Sequence, residues 1–221
     1  MSVSVIIPVL NEAAVLSGTL ASLRRLAADL EIIVVDAGSM DGTADIARSQ
    51  GARVVTGARG RAPQLNAGAR QASGDVFWFL HADTRVPPDA ALRLVEALRR
   101  APWGRFDVRL DGAHPLLRLV ERLMNLRSCI TAVATGDQAL FVRRDLFEQV
   151  GGFPDIALME DVALSKRLRR HASPACVTSR VLTSARRWER DGVLRTIMLM
   201  WWLRFAYWVG VSPRRLSRWY R

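Results

Sequence analysis

The chain has 221 residues, half of them hydrophobic, and a net charge of +11. At roughly 100–200 residues per domain, that length allows one large domain, or a domain with an appendage, around a substantial core. Met1 to Ile7 lacks a basic leader region, and Pro8, Asn11 and Glu12 interrupt the apolar run, so a secretory signal is not expected and cytoplasmic exposure is. Lys166 is the only lysine among 32 basic residues, a bias that fits a GC-rich genome as well as function. Anionic lipid, a nucleotide phosphate and nucleic acid are its candidate partners. Cys129 and Cys176 form no CxxC pair and read as buried thiols of a reducing compartment, with a disulfide left open.

Over the first hundred residues, short β-branched runs alternate with helical stretches, the pattern of βα units around a parallel sheet. Strands are expected at 3–8, 31–36, 52–56 and 75–80. Helices are expected from about Glu12 to Ala28, from Gly42 to Gln50, over 62–72, and from Pro87-Pro88-Asp89 to about Arg100. Beyond Trp103 the alternation weakens. Strands at 106–110 and 138–142 enclose a helix over about 115–130, giving the sheet a second, mixed part.

Two acidic clusters stand out. His81-Ala82-Asp83 follows an apolar strand whose end should open into the crevice where α/β folds bind ligands. Glu160-Asp161 opens an amphipathic helix after the sharp approach Gly151-Gly-Phe-Pro154. A carboxylate beyond a strand end can hold a cation, and the helix dipole favours an anion at a helix N-terminus, so one cluster suits a metal and the other a base. Helix capping is the plain alternative for the second. The loop Asp36-Ala-Gly-Ser-Met-Asp-Gly-Thr43 places Asp36 where it can accept from a ribose hydroxyl or a base N–H, while Asp41 can simply cap the next helix. Neither G-x-G-x-x-G nor G-x-x-x-x-G-K-[ST] occurs, so an ordinary dinucleotide or P-loop site is not expected.

Together with 5–12, 34–43, 60–68, 79–84, Gly136-Asp-Gln138 and 151–155, these segments resemble, in order, the motifs of a family 2 glycosyltransferase of the GT-A fold. They cover about residues 3–170. The short length and the His-Ala-Asp form further resemble a bacterial subgroup found beside radical-SAM and selenodomain proteins. The resemblance implies a mostly parallel central sheet flanked by helices, with a catalytic domain over 1–185 whose nucleotide part ends near 100; residues 186–221 themselves read as a hydrophobic helical segment beyond it.

By the same resemblance Pro8, Asn11, Glu12, Asp36, Arg61, His81, Ala82 and Asp83 bind a UDP- or GDP-linked sugar. Asp83 ligates Mg²⁺ or Mn²⁺ at the donor diphosphate. Asp161 is the base of an inverting transfer, and Glu160 orients the acceptor or supports the loop. Gly136, Asp137, Gln138, Arg187 and Trp188 line the acceptor side. His81 stands where the family's D-x-D motif has its first acid, which puts metal affinity in question; a structural role is the alternative. Pro8 and Asn11 also read as a strand terminator and a helix cap, and Asn66 and Gly68 as packing residues. Arg187-Trp188 resembles the end of the Q-x-x-R-W signature of processive members, but Ser184 replaces its glutamine, so addition of a single sugar is expected.

Residues 193–211 are long enough to span a membrane marginally, but Arg195 and Arg204 interrupt them, and a central Arg costs about 2.5–3.5 kcal/mol on insertion scales. At a helical repeat, Met198, Trp201, Trp202, Phe205, Trp208 and Val209 share one face, opposite Leu199, Leu203 and Tyr207. With the basic tail Arg214 to Arg221, this suits an anionic membrane surface at the inner face of the cell membrane and a lipid-linked acceptor; a homodimer contact and an ordinary core helix are the alternatives. Two rival functions are weighed. A sugar nucleotidyltransferase needs a glycine-rich activating loop after the first strand, and a basic membrane or nucleic-acid module leaves the ordered acids unexplained. Nucleic acid is therefore not an expected partner.

Overall fold

The computed structural model describes residues 1–26 and 28–220; Ala27, in the tail of the first expected helix, and Arg221, in the basic tail, lie outside them. Seven strands among the described residues form one sheet: β1 (Val3–Val9), β2 (Leu30–Asp36), β3 (Arg53–Thr56), β4 (Val76–Phe79), β5 (Trp103–Asp111), β6 (Phe141–Arg143) and β7 (Ala175–Ser184). Their spatial order is β3-β2-β1-β4-β6-β5-β7. β1 runs parallel to β2 and β4, β2 to β3 and β5 to β7, whereas β6 is antiparallel to both neighbours. The sheet is thus mostly parallel, with its mixed part after residue 100.

Alternation along the central strands supplies two cores. Val3, Val5, Ile7 and Val9 of β1 and Trp78 of β4 face α1 (Ala13–Arg24) and α4 (Ala90–Leu98). Ile6 and the β4 residues Phe77 and Phe79 face the other way, against α3 (Arg61–Gln71), α6 (Arg144–Gln149) and α7 (Glu160–Leu168). A strand covered on both faces is apolar almost throughout, which is why β4 reads as an unbroken hydrophobic run and β1 as one broken only by Ser4, whose buried hydroxyl donates to Glu31 and accepts from Gly74 N. α3 lies against the sheet because Gly68 has no side chain: a Cβ there would stand 2.5 Å from Ile6 Cγ2. α2 (Thr43–Ser49) packs over β2 and β3.

The later elements include two the sequence did not signal, β7 and α6. The strand expected over 138–142 is shorter, because Gly136–Gln138 forms a single 3-10 turn. α5 (Pro115–Thr131) crosses β5. The expectation of buried thiols is corrected: Cys129 near the end of α5 is disulfide-bonded to Cys176 in β7, with Cα atoms 5.9 Å apart, and Cys129 is exposed.

After β7 come α8 (Arg186–Asp191), α9 (Val193–Trp208) and α10 (Pro213–Trp219). Leu203, Ala206 and Leu216 pack with Val133, Met159 and Val162, while Val193 and Trp188 join Leu110, Leu117 and Val120. The opposite face of α9 is bare: Met198, Trp201, Trp202, Phe205, Trp208 and Val209 are each more than half exposed. No helix of the described residues is long and apolar enough to cross a membrane.

Candidate active site

The loops after β1, β2 and β4 meet at the carboxyl edge of the sheet, where α/β folds place their ligands. Cross-links hold the first two together. Asn11, at φ 56°, accepts from Met40 N through Oδ1 at 2.9 Å, and Glu12 N donates to Thr43 Oγ1 at 2.9 Å. Asp41 accepts from Ala13 N, the first amide of α1, at 3.0 Å, and Asp36 accepts from Ser39 N. Beneath them Gln64 Nε2 donates to both Val9 O and Val35 O, clamping the ends of β1 and β2. Two local readings are thereby corrected. Pro8 does not end β1, which continues to Val9, and Asn11 bridges two loops instead of capping α1 with its side chain.

A second group surrounds Arg61 at the start of α3. Its Nε lies 3.1 Å from Glu160 Oε1, and its Nη2 contacts His81 Nε2. His81 Nδ1 is 3.2 Å from Asp137 Oδ1. Arg61 can only donate, so His81 Nε2 must accept and Nδ1–H must donate to Asp137, which makes the ring neutral. Burial, with the Arg61 charge beside it, holds the His81 pKa well below its ordinary value. Burial opposes the charge of Arg61, but Glu160, Asp161 and Asp137 outweigh it and raise its pKa; burial likewise raises Glu160 against the pull of Arg61.

Asp161, in the first turn of α7, has both carboxylate oxygens on backbone amides. Oδ2 accepts from Gly136 N at 2.7 Å and Oδ1 from Val162 N at 2.7 Å, which fixes its orientation. Gly136 is needed for that approach, since a Cβ would come within 2.4 Å of both Arg61 Nη2 and His81 Nε2. Asn66 exchanges two bonds with the backbone of Phe153, at 2.8 and 3.0 Å, and so anchors the bend that leads to Glu160. Arg61, His81, Gly136, Glu160 and Asp161 line one pocket.

The metal question turns on Asp83. Arg186 Nη2 lies 3.4 Å from Asp83 Oδ2 and 3.7 Å from Glu12 Oε2, so two carboxylates converge on one cationic position. Burial, only partly offset by Arg186, raises the Glu12 pKa. No group of three or more His, Cys, Asp and Glu suited to a metal exists among the described residues. One or two carboxylates completed by donor phosphates is nevertheless the usual manner of holding Mg²⁺, so the residues present fit a divalent ion that arrives with a diphosphate. His81 has no nitrogen left to join them.

Three expected site residues do not face the cleft. Gln138 is fully buried and holds the 3-10 turn to α5 through Ser128 Oγ at 2.8 Å. Ala82 is packed in the core, its carbonyl accepting from Thr19 Oγ1. Trp188 packs with the Leu117 and Val193 cluster. Arg187 donates to Tyr220 O, and its guanidinium lies 3.7 Å over the Tyr220 ring, so α10 closes onto α8. Arg186, which stands between Asp83 and Glu12, and Tyr220, on which Arg187 stacks, were not expected at the site, and nothing in the spacing of so many arginines marks Arg186.

A mostly parallel sheet with a ligand edge of this form is a GT-A fold. Similar folds occur in TarS of S. aureus (TM-score 0.67, 17% identity, covering 84% of this chain and 61% of that one) and in the mannosyltransferase PcManGT from Pyrobaculum calidifontis, solved with GDP-Man and Mn²⁺ (TM-score 0.64, 23% identity, 81% and 56%). The family model for glycosyl transferase family 2 matches residues 4–149, and the chain belongs to that family. It is 31% identical over 197 residues to a probable glycosyltransferase, YdaM, of Bacillus subtilis, covering 75% of this chain and 46% of the relative. It is 31% identical over 172 residues to a dolichol-phosphate mannosyltransferase of Pyrococcus furiosus, covering 73% and 47%. The chain therefore spans about half the length of these curated relatives.

Proposed function

We propose that the protein transfers a sugar from a UDP- or GDP-linked donor to an acceptor hydroxyl with inversion at the anomeric carbon, one sugar at a time. The observation that carries this is the carboxylate of Asp161, oriented by two backbone amides in the pocket that Arg61 and His81 also line. Asp161 takes the acceptor proton as the hydroxyl attacks opposite the departing nucleotide. Glu160 stays paired with Arg61 and supports the loop. Asp36, Asn11 and Glu12 border the nucleotide, and Arg61 and Arg187 offer charge to its diphosphate. Asp83, with Glu12, would hold Mg²⁺ or Mn²⁺, which supplies charge neutralisation on the leaving diphosphate. Arg186 must then give up its place between those two carboxylates.

The nucleotide part lies before about residue 100 and the acceptor part between there and residue 185, with 186–221 as the aromatic and basic appendage. The bare aromatic face of α9 favours work at an anionic membrane surface, at the inner face of the cell membrane. Relatives named for dolichol-phosphate or undecaprenyl-phosphate acceptors are consistent with a lipid-linked acceptor. The test is a thermal-shift series with UDP- and GDP-sugars, with and without Mn²⁺ or Mg²⁺, since a ligand of the folded state raises the melting temperature. Asp83→Ala should weaken metal-dependent donor binding by about tenfold or more, because it deletes a hard oxygen ligand. Equal donor affinity in the variant, with and without metal, would remove Asp83 from that role.

A further inference from the structure

Arg186, the first residue of α8, is the one cation that the carboxylates of Glu12 and Asp83 meet among the described residues. Its Nη2 stands 3.4 Å from Asp83 Oδ2 and 3.7 Å from Glu12 Oε2, and its Nε donates to Ser184 Oγ at 3.0 Å, which sets the direction of the side chain. The two carboxylates come from the loops after β1 and β4, which are neighbouring parallel strands, so the fold brings like charges together and favours a cation between them. The rest of α8 is held elsewhere: Arg187 donates to Tyr220 O, and Trp188 packs with Leu117 and Val193. The Arg186 side chain is 58% exposed and can leave its place without disturbing the helix.

An exposed ion pair contributes little, so this contact yields to an ion that coordinates the same oxygens directly. A free divalent ion must still displace the guanidinium, and it gains only two carboxylates in return, too few for a protein site of its own. A donor diphosphate changes both conditions. It completes the oxygen shell of the ion, and it offers the displaced guanidinium, whose planar donors match phosphate oxygens, another anion. We propose that Arg186 is the resident counter-ion of the metal position: it closes Glu12 and Asp83 to a free divalent ion and passes to the donor diphosphate when ion and nucleotide arrive, so that the two load as a pair. This rests on reading Glu12 and Asp83 as the place of the donor's metal.

Mn²⁺ binding to the full chain is read from the loss of the free ion's electron paramagnetic resonance signal, first without nucleotide and then with UDP or GDP. Without nucleotide, Arg186→Gln should bind Mn²⁺ about three- to tenfold more tightly than wild type, the scale of two exposed ion pairs. That gain should vanish when Asp83→Ala is added, which places the extra ion at Asp83. The diphosphates should tighten Mn²⁺ binding by a larger factor in wild type than in Arg186→Gln, because only wild type has a guanidinium to hand over. Arg186 is exposed and its side chain meets only Ser184, Glu12 and Asp83, so its replacement should leave the fold intact.

Mn²⁺ affinity without nucleotide that is equal in wild type and Arg186→Gln, or lower in the variant, overturns the inference, as does a gain that survives the loss of Asp83. A melting temperature that falls in Arg186→Gln with no change in Mn²⁺ binding marks a structural ion pair and overturns it too. If the variant behaves as wild type while UDP or GDP still binds with Mn²⁺, this inference falls alone. If neither nucleotide binds wild type with Mn²⁺ present, the transferase reading falls, and the hand-over to the diphosphate with it.

Discussion

At the carboxyl ends of β1 and β2, the loops are bonded to one another through Asn11, Asp41, Thr43 and Gln64, so that side of the cleft is fixed before any ligand arrives. Around α5 and α9 the reverse holds: Arg127 of α5 has Nε and Nη2 buried without a partner, and both helices turn apolar residues outward. On α5 these are Leu116, Leu119, Leu123, Leu126 and Ile130, spaced three and four apart on one stripe; on α9 they are the aromatics. The first region is finished by its own sequence and suits a small, invariant nucleotide. The second is unfinished, as expected of a surface completed by something outside the chain.

The sharpest break between the two should come from Asp161→Asn. The amide keeps the shape of the side chain but cannot take the acceptor proton, so transfer should fall by about 10²- to 10⁴-fold while donor binding survives. Near wild-type turnover by the folded variant would remove Asp161 from the base role. The next largest effect concerns the unfinished side alone. Replacing Trp201, Trp202, Phe205 and Trp208 together by Ser removes apolar area available for burial at about 25 cal/mol per Å², while the basic residues keep their charge. Co-sedimentation with anionic vesicles should be lost and donor binding kept. If wild type ignores vesicles but forms a dimer that the substitutions split, a second copy covers that face instead.

A smaller effect is expected at the covalent link of the second region. The Cys129–Cys176 bond closes a loop with a sequence separation of 47, which on the chain-entropy account adds about 4 kcal/mol. Cys129→Ser should therefore lower the melting temperature by up to about 15 °C, at roughly 2–4 °C per kcal/mol for a chain of this size. Nucleotide affinity should stay the same, because α5 and β7 do not carry the donor loops. A loss of nucleotide affinity in the folded variant would mean that the two regions are coupled.

How much of this was legible in the sequence follows the same division. β1, β2 and β4 are apolar runs with turn residues at their ends, so both the strands and the loops carrying Asp36 and Asp83 could be placed. β7 is an edge strand in which polar residues interrupt the apolar ones, so neither a buried run nor a clean alternation marks it. Gln138 read as a cleft residue because its neighbours Gly136 and Asp137 are; only the 3-10 turn, which rotates it under α5, separates them. Arg186 was hidden by composition, since in an arginine-rich chain nothing marks the one that packing sets between the carboxylates of Asp83 and Glu12.

The smallest effect tests the seam where the two regions meet. Burial pushes the Asp137 carboxyl up to about 6; Arg61 opposes the shift, and Asp161 and Asp83 add to it. With a folded pKa above the ordinary value of about 3.9, the folded chain takes up this proton more readily than the unfolded chain does. The cost of ionising Asp137 is thus absent below about pH 4 and complete above about pH 6, so its contribution to stability falls as pH rises across that window. Asp137→Asn removes the titration while leaving an oxygen to accept from His81 Nδ1. The variant should melt above wild type at about pH 7.5 and together with it near pH 4, and the difference isolates this one group because the others titrate alike in both proteins. As 41% of the Asp137 side chain meets solvent, screening should hold the gain below about 1 kcal/mol, or below about 4 °C. An equal gain at both pH values would assign the effect to packing. A loss at the higher pH would mean that the charged bond to His81 outweighs burial, and that the Arg61–His81–Asp137 chain stabilises the fold instead of straining it for the ligand.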